Sequence, residues 1–136
     1  MAAEAVIIEL LGKLKGCPIR YTCAEAVTIP KGTLLKITDP RTVSAHSGAD
    51  QPIAGVAAME KVGGDGSTTI SVYTNGIFDI TAAAAGAVTV GKVCAGSATA
   101  NMFTMADGND MKQNSMIGYC MEEASNDETV AVRILK

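Results

Sequence analysis

The single histidine of the chain, His46, stands in "SAHS" between Ser44 and Ser47, where hydroxyls beside an imidazole suggest nucleophilic chemistry. A serine becomes a nucleophile only when a base reaches it and a third group orients that base. No orienting acid is identifiable from the spacing here, so "SAHS" reads as part of a solvated polar loop. "GGDGS" at 63–67 looks like a phosphate cradle, but a phosphate loop needs a following Gly-Lys-Ser/Thr and a helix N-terminus. An alternating apolar segment follows instead, which makes it a hairpin turn.

"DGND", Asp107 to Asp110, offers two carboxylates and an amide. A calcium loop of the EF-hand kind closes on a glutamate at its twelfth position, and counting from Asp107 that position is Gly118. Glu122-Glu123 and Asp127-Glu128 could be paired for glycoside hydrolysis if they faced each other across a cleft. With no Trp, two Phe and three Tyr, the aromatic walls of a sugar cleft are hard to build, so these acids read as a solvated turn. Cys17, Cys23, Cys94 and Cys120 match no zinc-knuckle spacing. Free buried thiols are the favoured reading, with one or two disulfides as the alternative. No enzyme emerges from these groups, and they call for no cofactor and no metal.

The elements that carry these residues are unusual in their smoothness. The chain has 136 residues, enough for one domain, and 48% hydrophobic content, of which only five residues are Phe or Tyr. Charged residues make up 18%, below the roughly 25% usual in soluble domains, which hints that some surface is covered by a partner. Net charge is −3 and no Lys/Arg run could track phosphates, so nucleic-acid binding has no electrostatic footprint. The N-terminal "MAAEAVIIELLGKLKG" has its lysines after the apolar run and Glu4 before it, unlike a secretory signal, and is too short to span a bilayer. Membrane attachment is therefore not expected. Residues 1–16 read as an N-terminal arm or short helix, because Gly12 and Gly16 would interrupt anything longer.

From Pro18 onward the pattern is that of short strands. "IRYTC", "TLLKITD", "PIAGVA", "TTISV" and "TVAVRIL" alternate or run apolar in short bursts. Asn75-Gly76 reads as a turn, "TAAAAG" as one helical turn at 82–85, and 97–115 as a second polar, loop-like stretch. Met102, Met105, Met111, Met116 and Met121 crowd one third of the chain, as gap-fillers of a core or as a partner-facing patch. "PIAGVAAME…GGDGSTTISV" and "SMIGYCMEE…SNDETVAVRI" share one plan with a central Gly55 or Gly118, and "VTIPKG" and "VTVGKV" lie upstream of them. The expectation is an all-β, small β-barrel-like domain over 17–136, built from two similar motifs at about 27–80 and 88–136.

The "IPKGTLL" turn, the "PIAGVA" strand with its preceding polar loop, and the closing "ETVAVRIL" resemble the head decoration, or cement, proteins of tailed bacteriophages and related viruses. The resemblance covers about residues 24–136 and implies a β-barrel or β-tulip domain with long loops. It implies a non-enzymatic structural protein made in the host cytoplasm, which binds the outside of the capsid as a homotrimer and bridges major capsid protein subunits. An N-terminal arm along the capsid surface is part of that pattern, and Val6, Ile7, Ile8, Leu10 and Leu11 are the expected contacts, by strand addition to a partner sheet. The chain departs from the pattern in its apolar N-terminus and its few turn prolines. The alternative function is a carbohydrate- or protein-binding barrel within a larger assembly.

Overall fold

A computed structural model of the protein describes residues 18–136. Ten strands and one short helix follow in order: β1 Ile19–Thr22, β2 Leu34–Asp39, β3 Thr42–Ala45, β4 Ile53–Ala57, β5 Thr69–Tyr73, β6 Asn75–Ala82, β7 Val93–Gly96, β8 Met102–Met105, α1 Gly108–Gln113, β9 Met116–Cys120 and β10 Thr129–Leu135. The fold is all-β, as the alternation predicts. The strands close into two five-strand barrels, ordered β1-β3-β2-β4-β5 and β10-β6-β8-β7-β9.

The two barrels have the same wiring. In each, the first and third strands are parallel, at Thr22↔Thr42 and Thr81↔Met102, and the other neighbours are antiparallel. One irregularity corresponds as well: a register shift falls between Leu35 and Lys36 in one barrel and between Cys94 and Ala95 in the other. Matching the ladders makes Leu34 equivalent to Val93, Val56 to Tyr119, and Gly55 to Gly118. It likewise makes Ile19 equivalent to Phe78 and Tyr21 to Ile80.

The period-2 pattern sets what lies inside. Val130, Val132 and Ile134 of β10 point inward with Ile80, Phe103, Ile117 and Cys120, while Cys23, Ile29, Leu35, Val43, Ile70 and Val72 fill the first barrel. The cores are not fully separate, because Leu34, Ile53 and Val56 of the first barrel join the second cluster.

Several sequence expectations are corrected. Asn75-Gly76 is not a turn. Both residues belong to β6 and pair with Leu135 and Ile134, because β5 and β6 lie in different barrels separated by Thr74 alone. No helical turn forms at 82–85, since Ala82 ends β6 and a tight turn closed by Gly86 N–H to the Ala83 carbonyl follows. The tertiary ladder outweighs alanine's weak local preference for helix. The polar stretches are also more ordered than their composition suggests, since 42–45 is strand β3 and 97–115 carries β8 and α1.

Gly55 and Gly118 hold the closure. A Cβ at Gly55 would collide with the Tyr73 carbonyl oxygen, and Gly55 also has φ +153°. A Cβ at Gly118 would collide with the Arg133 carbonyl oxygen and sit 3.2 Å from the Ile134 Cα. The obstructing atoms are backbone within a paired ladder and cannot swing aside. Gly118→Ala is expected to lower stability by about 2–4 kcal/mol in urea unfolding, the range of an overpacked core position. An exposed glycine with open space around it, Gly108→Ala, is the control and should shift the midpoint little.

Candidate partner-binding surface

Several of the chemistry-bearing side chains hold the fold together. His46 is not the solvated loop residue its neighbours suggest, being only 2% exposed. Its Nε2 lies 2.7 Å from the Gly48 carbonyl oxygen, and the Asn101 N–H points at Nδ1 from 3.3 Å. A carbonyl can only accept, so Nε2 carries the proton and Nδ1 offers its lone pair: the ring is the neutral Nε2–H tautomer. Gly96 backs the ring closely enough that a Cβ there would meet Nε2 at 2.8 Å. Asn101 in turn accepts the Leu34 N–H on its Oδ1 at 2.9 Å, so the imidazole and the amide stitch one barrel to the other.

The carboxylates are used in the same way. Asp107 caps α1, accepting the Asn109 and Asp110 N–H groups, while Asp110 accepts the Asp107 N–H and the Ser115 hydroxyl. Glu122, Glu123 and Glu128 are exposed, as expected, and accept the backbone N–H groups of Ala131, Val90 and Ser125. Among the described residues no group of three or more His, Cys, Asp or Glu could hold a metal ion. Cys23, Cys94 and Cys120 are free and buried, and burial pushes all three thiols up, away from the thiolate.

One buried cation gave no signal in the sequence. Lys61 is 2% exposed, and its ammonium donates to the carbonyls of Glu25, Val27 and Val62 and to Asp65. It ties two turns of the first barrel together. Its partner in the ladder is Ile29, and the equivalent bridge of the second barrel joins Val88 to Ala124, where no side chain of that kind is present.

The surface with binding geometry is apolar. A cleft of about 490 Å³ opens where the barrels meet, lined by Tyr21, Ile37, Ile53 and Ala54 from the first, and by Val93, Met116, Ile117, Tyr119 and Leu135 from the second. Asn114 and Lys136 close it with polar atoms. The Lys136 ammonium donates to the Asn114 side chain at 2.8 Å and to the Met116 carbonyl at 2.7 Å. Burial holds that ammonium below the usual lysine range.

From the cleft an exposed row runs outward across three ladders. Val93 is opposite Tyr119, Tyr119 opposite Arg133, and Arg133 opposite Ile77. Ile77 is 57% exposed and Leu135, on the same face of β10 as Arg133, is 52% exposed. Large side chains rarely lie exposed in such a continuous run without a partner. Met105, Met111 and Met121 are exposed and lie outside the core. Val6, Ile7, Ile8, Leu10 and Leu11, the arm residues singled out from sequence, lie outside the described residues.

A family model described as phage cement protein matches residues 15–134 of the chain. No curated protein matches it.

The pH dependence of stability follows from His46. Desolvation holds its pKa below the ordinary 6.5, outweighing the opposite pull of the Gly48 carbonyl. The unfolded chain therefore takes up a proton as pH falls below about 6.5 while the folded chain does not. Stability is full above that value and declines toward pH 5, with a slope of at most about 1.4 kcal/mol per pH unit. Urea midpoints between pH 7 and 5 measure this. His46→Gln should flatten the profile, and an equally steep profile in that variant would place the proton elsewhere.

Proposed function

The chain belongs to the phage cement protein family, and from that premise we propose that it binds the outside of a viral capsid and stabilises it by bridging neighbouring major capsid protein subunits. Family membership carries a capsid-associated structural role. The observation that supports the finer reading is the exposed row Val93–Tyr119–Arg133–Ile77, apolar except for Arg133, beside an apolar cleft. Such a surface acts by area and shape, raising the cost of separating what it covers, and needs no bond-making step.

The attachment is multivalent in this reading. A homotrimer presents three copies of the surface to subunits around a symmetry axis, and each added contact is effectively intramolecular. Val6, Ile7, Ile8, Leu10 and Leu11 of the arm supply further contacts by pairing with an exposed strand of the major capsid protein. The protein resides on the virion.

Co-sedimentation with expanded capsids lacking the protein tests this. The full chain should pellet with the shells at a fixed stoichiometry and raise their heat-disruption temperature, and Tyr119→Asp should weaken attachment by at least about tenfold, as expected for an aromatic anchor. Removing residues 1–12 should lower occupancy and thermal protection. A chain that stays monomeric in solution and in the supernatant at all concentrations would overturn the proposal.

A further inference from the structure

The two barrels close in the same way, so a feature confined to one of them is not required for closure. Lys61 is such a feature. Counting along the matched ladders makes Val27 equivalent to Gly86, Met59 to Glu122, Lys61 to Ala124 and Val62 to Ser125. At these positions the first barrel has a buried cation and three exposed apolar side chains, and the second has none of the four. Val27 is 46%, Met59 47% and Val62 56% exposed.

The backbone connects the lysine to the two valines. Its ammonium lies 3.3 Å from the carbonyl oxygens of both Val27 and Val62, 2.6 Å from that of Glu25 and 3.5 Å from Asp65 Oδ1. A buried ammonium is tolerated only when its donors are used, and here they hold the carbonyls of residues whose side chains face solvent. The Gly63 N–H donates to the Thr28 hydroxyl across the same two turns, and the Gly66 N–H to the Glu25 carboxylate. Turns pinned in this way lose little further entropy when a partner settles on them. Val90 and Met121 are exposed on the second barrel, but their turn closes on the Val88–Ala124 bridge, with an alanine in place of the lysine.

None of Val27, Met59 and Val62 lines the cleft between the barrels or belongs to the row from Val93 to Ile77. Besides the enclosed Lys61, the charged residues of the two turns are Glu25, Glu60 and Asp65 against Lys31. We propose that the turns over 25–31 and 59–66 form a second docking surface for the capsid. Val27, Met59 and Val62 seat on an apolar patch edged by lysine or arginine side chains, and Lys61 is the positioning residue. The proposal rests on the capsid reading and gives it a second face. One chain that touches two subunits needs two surfaces, and the cleft side supplies one. Acidic side chains around an apolar centre match a basic rim and repel an acidic one.

The test uses the full chain and expanded capsids lacking it. Val62→Asp alters an exposed side chain and should leave the urea midpoint in place while weakening co-sedimentation about tenfold. Combined with Tyr119→Asp its effect should multiply, as separate contacts do. Lys61→Met should weaken attachment on its own but add little once Val62 is already Asp. That coupling separates positioning from a general loss of stability, which would multiply with either substitution. Glu60→Lys should weaken attachment, the more so as salt is lowered. If Val62→Asp pellets like the unsubstituted chain while Tyr119→Asp does not, the second surface is overturned and the capsid reading stands without it. If the unsubstituted chain fails to pellet, both fall. Equal or tighter binding by Glu60→Lys would overturn the basic partner, and independent effects of Lys61→Met and Val62→Asp would overturn the positioning role of Lys61.

Discussion

A carbonyl oxygen occupying the place of a side chain is the constraint on which the rest of the molecule depends. At Gly55 and again at Gly118 the fourth strand of a barrel passes so close to the fifth that no Cβ fits. A short five-strand sheet must turn sharply to meet itself, and here the turn is made by a register shift and a glycine in the same strand pair. Everything outside follows. The inward rows of Val and Ile have room because the wall closes tightly, and the outward rows become two equivalent faces, one of each barrel.

Those equivalent faces have met different fates. Leu34 and Val56 are covered by the partner barrel, and His46 and Asn101 fasten the seam with hydrogen bonds that require a neutral imidazole. Val93 and Tyr119 are left open, and Ile77 and Leu135 extend the apolar area across β10 and β6. Near-identical wiring thus yields a molecule with one sealed and one receptive side.

The all-β class and most strands were legible because period-2 alternation survives burial on one face. Gly55 and Gly118 stood out as central glycines, although their steric reason needed the cross-strand carbonyls. The alignment of the two halves was legible only loosely. The ladders match Gly32 with Gly91, both at positive φ, so "VTIPKG" and "VTVGKV" correspond with a two-residue offset, and Met59 falls opposite Glu122 rather than Met121. Asn75-Gly76 misled because a turn dipeptide reports local preference, while the strand pairing of β6 is decided by β10, more than fifty residues away in sequence. His46 and Lys61 were illegible for a related reason. Their burial comes from carbonyls and amides contributed by distant turns, and no spacing in the sequence encodes those partners. The open cleft had no sequence signature, since it arises between barrels.

Thr74 alone separates β5 from β6, and the last residue of the chain returns to it, with the Lys136 N–H donating to the Thr74 carbonyl at 2.8 Å. The two barrels are therefore spliced, not tethered. A pull on the first barrel along β5 enters β6 without slack and meets the seven-residue ladder from Thr129↔Thr81 to Leu135↔Asn75 along its length. Loaded in that direction, the bonds of the ladder share the force and must slide together instead of opening one by one. Mechanically the molecule is a rivet with two heads on one shank, and tension applied between its heads is borne along its longest ladder.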